Sequence, residues 1–520
     1  MTYLYSGSSV AALYRSAFRA FAGREALVGG KVRWTYVELA GRCHRMVRYF
    51  QSLGLVRQDG IALLAGNGPE AAVVIIAAQL MGLRYTALHP MGALQDHAFV
   101  LRDAGIRLLV VDGGRFAERG AELAGQAIVE KVVSLGPAGF GPDAVAASAA
   151  LDGSETTIDT QPEDVSKISY TGGTTGRSKG VIHEQRTVVT MTLQQLAGWE
   201  WPDSLRFLVT TPISHAGGAM MLPTFLRGGT LVLADKFSPA LFLQTIQQER
   251  ISATFLVPTQ IYGLLDCADR EHYDLSSLQY VLYGAAPIAP ARLAEALRVF
   301  GPIFGQLYGQ AEAPMTLTYL RKDEHNPLDT ALLQSCGRAL AGNEIRLLDA
   351  SLCEVAPGDV GELCVRSPLV MSGYLNRPDE SDKALAGEWL HTGDMARMDE
   401  RGYLYLVDRA KDMIITGGFN VYSTEVEACL ALHPAVAQSA AIGVPHAKWG
   451  EAVMAVVVAR PGMPCPEPGE LMAFVQQRKG PVIAPKAVVF AEALPLTPLG
   501  KVDKKILRSQ HWEGRGRLVA

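Results

Sequence analysis

The richest concentration of chemistry-bearing residues is Tyr170-Thr171-Gly172-Gly173-Thr174-Thr175-Gly176-Arg177-Ser178-Lys179-Gly180. Glycines in its front half let the backbone come close to a ligand and turn successive N–H groups toward it. The hydroxyls of Thr171, Thr174, Thr175 and Ser178 and the Lys179 ammonium add further donors, so the run reads as a cradle for phosphate. It is not a loop of the GxxxxGK[ST] kind: Ser178 stands where that pattern needs glycine, and Gly180 where it needs a magnesium-binding hydroxyl. Nor is it GxGxxG, which disfavours a dinucleotide site. The plain alternative, a solvated glycine-rich loop, is weakened by the strand-like run Lys167–Tyr170 that leads directly into it.

A loop of this kind needs a rigid frame, and the chain supplies one. Ile61–Ala65, Leu108–Asp112, Phe207–Thr211, Thr230–Ala234, Thr254–Val257 and Tyr280–Tyr283 read as buried strands. Pro69–Met81, Pro239–Glu249 and Ala289–Phe300 read as helices between them. Strands alternating with helices imply layered α/β structure with largely parallel sheets. Ile345–Leu348 and Gly361–Arg366, with a turn at Pro357-Gly358, suggest a β-rich subdomain. The alternating run Gly402–Val407 followed by the charged turn Asp408–Lys411 marks a boundary. The expected organisation is a large N-terminal domain (1–408), a hinge (409–411) and a small α+β C-terminal domain (412–520).

Composition bounds the remaining possibilities. The 520 residues carry 48 Lys+Arg against 52 Asp+Glu, a net charge of −4, which argues against a general nucleic-acid binder. Hydrophobic residues at 48% and charged residues at 19% exclude bulk disorder. Arg15, Arg19, Arg24 and Glu25 interrupt any signal-peptide core. The most apolar run, Ala71–Leu83, is too short to span a bilayer, so no transmembrane segment is expected. Seven scattered cysteines, with no CxxC, argue against a disulfide framework or a structural zinc site and fit a reducing cytoplasm.

The glycine-rich loop resembles the phosphate loop of the AMP-forming adenylating enzymes: acyl- and aryl-CoA synthetases, luciferases and peptide-synthetase adenylation domains. The resemblance runs through the whole chain. Trp34-Thr35-Tyr36-Val37-Glu38-Leu39 resembles their N-terminal signature, and Tyr308-Gly309-Gln310-Ala311-Glu312 their Tyr-Gly-x-Thr-Glu motif. Trp389-Leu390-His391-Thr392-Gly393-Asp394 is similar to their ribose motif, and Asp408-Arg409-Ala410-Lys411-Asp412 to their hinge. Gly417–Glu427 and Pro498-Leu499-Gly500-Lys501 complete the series in the right order.

The resemblance implies roles. Glu312 offers the hard oxygen ligand that suits magnesium beside the ATP phosphates. Tyr308, with Gly309 and Gln310, is placed at adenine, and Gly284-Ala285-Ala286 ends a strand-like run where small side chains leave a slot for a flat base. Asp394 has two acceptor oxygens for the two ribose hydroxyls, with Arg409 as a donor beside it. Lys411 is the hinge residue, and Gly417 and Gly418 face the CoA tunnel. Lys501 is the cation aimed at charge developing as the carboxylate attacks the α-phosphate. From composition alone Lys501, Lys504 and Lys505 are a solvated basic tail; Lys504 and Lys505 keep that reading. His215, with Ala216, Gly217 and Gly218, is placed at the acid pocket for carboxylate contact or gating, against the plain reading of a structural histidine. Ala311 departs from the family's Thr and removes one phosphate contact; Ser178 and Ser423 replace common prolines.

The activity implied is attack of a carboxylic acid on ATP to give an acyl-adenylate and pyrophosphate, then transfer to CoA, with Mg2+ as the metal. No acidic residue lies between Thr211 and Arg227, where amino-acid-activating relatives hold the α-amino group. The Gly-, Ala- and Met-rich segments therefore favour a fatty, alicyclic or aryl acid and a place in fatty-acid or lipid metabolism. Three alternatives stay open: an acyl-AMP ligase loading an acyl carrier protein, a nucleotide-binding protein with little catalysis, and a luciferase-type oxygenase. A homodimer is a candidate assembly.

Overall fold

The computed structural model describes residues 8–170, 178–409, 412–416, 419–446, 448–496 and 502–512. Two large sheets form the frame. A nine-stranded sheet runs, edge to edge, through Arg338–Ala339, Ala313–Leu320, Phe304–Gln310, Tyr280–Tyr283, Ala253–Leu256, Arg206–Val209, Thr230–Leu233, Glu25–Gly29 and Val32–Thr35. It is parallel through its middle and antiparallel at both edges. A seven-stranded sheet runs through Gly373–Tyr374, Gly180–Glu184, Val165–Tyr170, Arg84–Ala87, Gly60–Leu64, Ile106–Asp112 and Lys131–Leu135.

The two sheets bury one shared core. Phe207, Leu231 and Phe255 from the first meet Ile61, Tyr85 and Val110 from the second in a single cluster. Helix Pro69–Met81 belongs to that layer and is apolar all round, as a helix enclosed on every side must be. Proline at its first turn and Gly82 at φ +67 beyond its last fix both ends. Helix Tyr36–Ser52 begins with a capping box: the Thr35 N–H donates to Glu38 Oε2 at 2.8 Å, and Thr35 Oγ1 accepts from the Glu38 N–H at 3.4 Å. Tyr36 then donates its buried hydroxyl to the Gly229 carbonyl at 2.6 Å. In this structure the Trp34–Leu39 segment starts and anchors a helix.

The boundaries expected from sequence differ from the observed ones by a residue or two. Tyr280–Tyr283, Pro69–Met81 and Pro239–Glu249 coincide; Phe207–Thr211 is observed as Arg206–Val209. A four-stranded antiparallel sheet, Glu344–Leu348, Gly361–Arg366, Leu390–Met398 and Leu404–Arg409, forms the β-rich part. The last sheet is five-stranded, built on the long hairpin Val436–His446 and Gly450–Ala459. Helices Ser423–Leu430 and Pro468–Lys479 cover one of its faces, and Leu507 of helix Lys504–Ser509 packs on the other.

That last helix corrects one expectation. Lys504 is not a solvated charge. Its ammonium sits 2.7 Å from Glu427 Oε1 and donates to Ser423 Oγ at 2.5 Å. Burial works against the ammonium, but Glu427, Asp408 and Asp412 together hold its pKa above the ordinary lysine range. Lys505 is exposed. Among the described residues no helix is long and apolar enough to cross a membrane, and the seven cysteines are unpaired.

Candidate active site

Val165–Tyr170 and Gly180–Glu184 pair antiparallel as two arms, and the glycine-rich run is the stretch of sequence that joins them. Sequence patterning marks only the first arm. Thr171, Gly172, Gly173, Thr174, Thr175 and Gly176 lie outside the described residues, as do Lys411, Gly417, Gly418 and Lys501. The arms close tightly: a Cβ on Gly180 would come within 2.9 Å of the Ile168 side chain and 3.0 Å of the Tyr170 ring. The Tyr170 hydroxyl donates to Asp103 Oδ2 at 2.7 Å.

Lys179, at the far end of that turn, pairs with Glu380 and lies 4.9 Å from the Tyr374 ring centroid. Tyr374 donates its hydroxyl to Glu312 Oε1 at 2.8 Å. Glu312 is half-buried and is anchored through its backbone, its carbonyl accepting from the Met371 N–H at 2.8 Å. Among the described residues the other Glu312 oxygen accepts no hydrogen bond, which leaves a hard anionic ligand atom uncommitted. Neither Tyr374 nor Glu380 is marked by the sequence; the nearest signal is that Tyr374 lies in a strand pairing with the second hairpin arm. The Ala311 methyl packs against the apolar cluster that contains Tyr308 and Leu317.

Tyr308 and Asp394 form a second constellation. The buried Tyr308 hydroxyl donates to Asp394 Oδ2 at 2.6 Å. Desolvation raises the Tyr308 pKa and the neighbouring Asp394 charge raises it further, so the phenol stays a donor. Gln310 Nε2 donates to the Thr392 carbonyl at 3.3 Å, a second tie between the same two strands. Arg409 pairs with Asp394 in the ladder of Leu390–Met398 with Leu404–Arg409. Gly309 and Gly284 are required by close approach: a Cβ would lie 2.3 Å from the Met315 nitrogen or 2.5 Å from the Leu307 carbonyl oxygen. Ala285 follows Gly284 at φ +67, a left-handed turn held by a non-glycine residue, and Ala286 lies in the same bend beyond the strand.

Glu362, unmarked by the sequence, braces the Asp394 turn. One of its oxygens accepts from the Gly393 N–H at 2.9 Å and the other lies 2.8 Å from His391 Nδ1. Cys364 Sγ is 3.5 Å from the same nitrogen. The ligand atoms of this trio fall within 4.8 Å of one another, but Glu362 and His391 are already engaged with each other and with Gly393.

His215 is half-buried, its Nδ1 2.8 Å from Ser214 Oγ and its ring 4.9 Å from that of His89. Burial, helped by the His89 and Lys167 charges, pushes its pKa down to about 4. A neutral imidazole of that basicity is a hydrogen-bond partner rather than a strong proton acceptor. Ala216 opens the short helix Ala216–Ala219. Gly217 and Gly218 owe their identity to backbone packing: a Cβ would lie 2.5 Å from the Thr211 carbonyl oxygen or 2.2 Å from that of Ile213. An apolar void lined by Phe242, Leu256, Ile261 and Phe304 lies among the helices outside the nine-stranded sheet, away from all these polar groups.

Residues 14–375 match the family model of the AMP-binding enzymes, and residues 425–501 that of the AMP-binding enzyme C-terminal domain. This chain belongs to the AMP-binding enzyme family. Its similarity to individual members of that family spans nearly the whole chain. It is 48% identical to the medium/long-chain-fatty-acid–CoA ligase FadD8 of Mycobacterium tuberculosis, over 94% of this chain and 88% of that one. It is 34% identical to the 3-[(3aS,4S,7aS)-7a-methyl-1,5-dioxo-octahydro-1H-inden-4-yl]propanoyl:CoA ligase of Rhodococcus jostii, over 96% and 98%. The amide bond synthetase McbA from Marinactinospora thermotolerans has the same fold, with a TM-score of 0.89, 33% identity, and coverage of 96% and 99%.

Proposed function

We propose that this AMP-binding enzyme is a carboxylate–CoA ligase that activates a fatty, alicyclic or aryl acid with ATP and passes the acyl group to CoA. The observation that carries the reading is the 2.6 Å bond from Tyr308 to Asp394, which brings the base-side aromatic and the ribose-side carboxylate together across 86 residues of sequence. In this reading Asp394 accepts from the ribose hydroxyls and Tyr308 fixes its orientation, while Gly284, Ala285 and Ala286 leave room for adenine. Lys179 and the turn 171–177 hold the phosphates. Glu312, with one oxygen tied to Tyr374 and the other uncommitted among the described residues, fits a magnesium ligand. Magnesium would neutralise charge on the phosphates there.

The acid enters beside His215, and its carboxylate oxygen attacks the α-phosphorus; pyrophosphate leaves and an acyl-adenylate forms. Lys501 supplies positive charge at that step. The CoA thiolate then attacks the acyl carbonyl and AMP departs. The hinge at 409–411 lets the domain from 412 onward serve both steps, with Gly417 and Gly418 at the thiol path. Unpaired cysteines agree with a cytoplasmic setting.

One incubation tests this: enzyme with ATP, magnesium, CoA and a panel of fatty, alicyclic, benzoic and cinnamic acids, read by mass spectrometry. AMP with an acyl-CoA is the expected result. Acyl-adenylate without thioester would move the acceptor to a carrier protein, and no AMP with any acid would overturn the ligase reading.

A further inference from the structure

Lys167 stands in the middle of the strand Val165–Tyr170, on the face that looks into the space between the two large sheets. Its neighbours across the ladder are His183 on one side and Tyr85 on the other. The three side chains therefore share one patch of one sheet face. Two of their polar atoms have no protein partner among the described residues. Tyr85 Oη and His183 Nδ1 are buried without a hydrogen-bond partner among the described residues, with Tyr85 7% and His183 1% exposed. Lys167 keeps partial solvent access, and no carboxylate among the described residues acts on it; burial alone pulls its pKa down to about 8. The Lys167 charge reaches both His183 and His215. His183 is hydrogen-bonded to the backbone of Ala311, the residue before Glu312.

A cation lining a cleft without a protein counter-charge is costly unless a ligand supplies one. Two anionic groups enter this cleft in the reaction proposed above. The phosphates have Lys179 and the glycine-rich turn. The carboxylate of the acid has, so far, only His215, which is neutral and carries no charge to offer. Lys167 is three residues upstream of Tyr170, about 10 Å along the strand from the start of the phosphate turn. Its charge also reaches His215, the residue the ligase reading sets beside the acid. We infer that Lys167 is the charge that captures the carboxylate of the incoming acid, with the Tyr85 hydroxyl as a neighbouring donor. The inference rests on the ligase reading and names a residue for its acid-binding step.

The test compares wild type with Lys167→Met and Lys167→Arg on the best acid of the panel. Lys167→Met should raise the KM for the acid at least tenfold and leave the KM for ATP within twofold. Its thermal midpoint should stay equal or rise, because an uncompensated cation has been removed. Lys167→Arg should recover most of the acid affinity. An acid KM within twofold of wild type, or an ATP KM that rises in parallel, would overturn the assignment. If Lys167→Met folds poorly, Lys167→Gln carries the same comparison. If wild type makes no AMP with any acid, the ligase reading fails on its own. Calorimetric titration of the same acids then still decides Lys167, since equal binding, or equal lack of it, by wild type and Lys167→Met would overturn it.

Discussion

Around Lys504 the protein gathers carboxylates: Glu427 at 2.7 Å, with Asp408 and Asp412 close enough to hold the ammonium charged. Around Lys167 no carboxylate among the described residues acts, and its neighbours are two histidines and a tyrosine. Both lysines lose water on folding, yet only one is given its counter-charge in return. The Lys504 region joins three segments, the end of Leu404–Arg409, helix Ser423–Leu430 and helix Lys504–Ser509, and its electrostatics are complete without a ligand. The Lys167 region is incomplete in the same sense, and it lies within the strand that leads to the glycine-rich run. A closed ion network serves the fold, whereas an open one leaves a place for a substrate group.

The largest expected effect comes from breaking the closed network. Lys504→Met leaves Glu427 buried against a hydrocarbon and should cost about 3–5 kcal/mol in urea unfolding. Adding Glu427→Gln should recover part of that loss. Equal stability of Lys504→Met and Lys167→Met would erase the contrast between the two regions.

Next in size is a pH effect, which adds a third way of handling buried charge: leaving the group neutral. Burial lowers both His215 and His325 to about 4, against an ordinary value of 6.5. The unfolded chain therefore binds more protons between those values. Stability should be flat above pH 6.5 and fall as pH drops toward 4, by roughly 3 kcal/mol for each histidine at full protonation. Chemical denaturation at pH 7, 6 and 5 reads the upper half of that window, and His215→Gln should remove its share. A flat profile would mean that both rings keep their ordinary basicity.

A smaller effect tests the joint itself. The Ser423 N–H donates to Asp408 Oδ2 at 2.5 Å, a bond that the proline of the resembling family could not make. Ser423→Pro should cost about 1–2 kcal/mol through loss of that bond. A neutral result in the unfolding midpoint would show that this bond contributes nothing to the stability of the joint.

Much of the frame is legible in the sequence because apolar periodicity is local. Tyr280–Tyr283 and Pro69–Met81 declare themselves by composition and by their flanking Gly and Pro. Tyr308, Asp394 and Glu312 are legible as motifs, and the structure brings Tyr308 to Asp394 and Glu312 to a partner, Tyr374, that no spacing reveals across 62 residues. Lys504 misleads because a lysine in a basic tail looks solvated, and only the fold brings Glu427 to it. Lys167 is invisible for the opposite reason. It sits inside a strand-like run, and what makes it unusual is that the residues opposite it on the two neighbouring strands are His183 and Tyr85 rather than an acid, a property of register rather than of sequence.

The most direct measurement is exchange of labelled pyrophosphate into ATP, with and without acid, in wild type and Asp394→Ala. Exchange should depend strictly on added acid and fall at least 100-fold in Asp394→Ala, since the ribose acceptor and the partner of Tyr308 are lost together. Exchange without acid, or an Asp394→Ala enzyme that exchanges at the wild-type rate, would contradict a nucleotide site built around Tyr308 and Asp394.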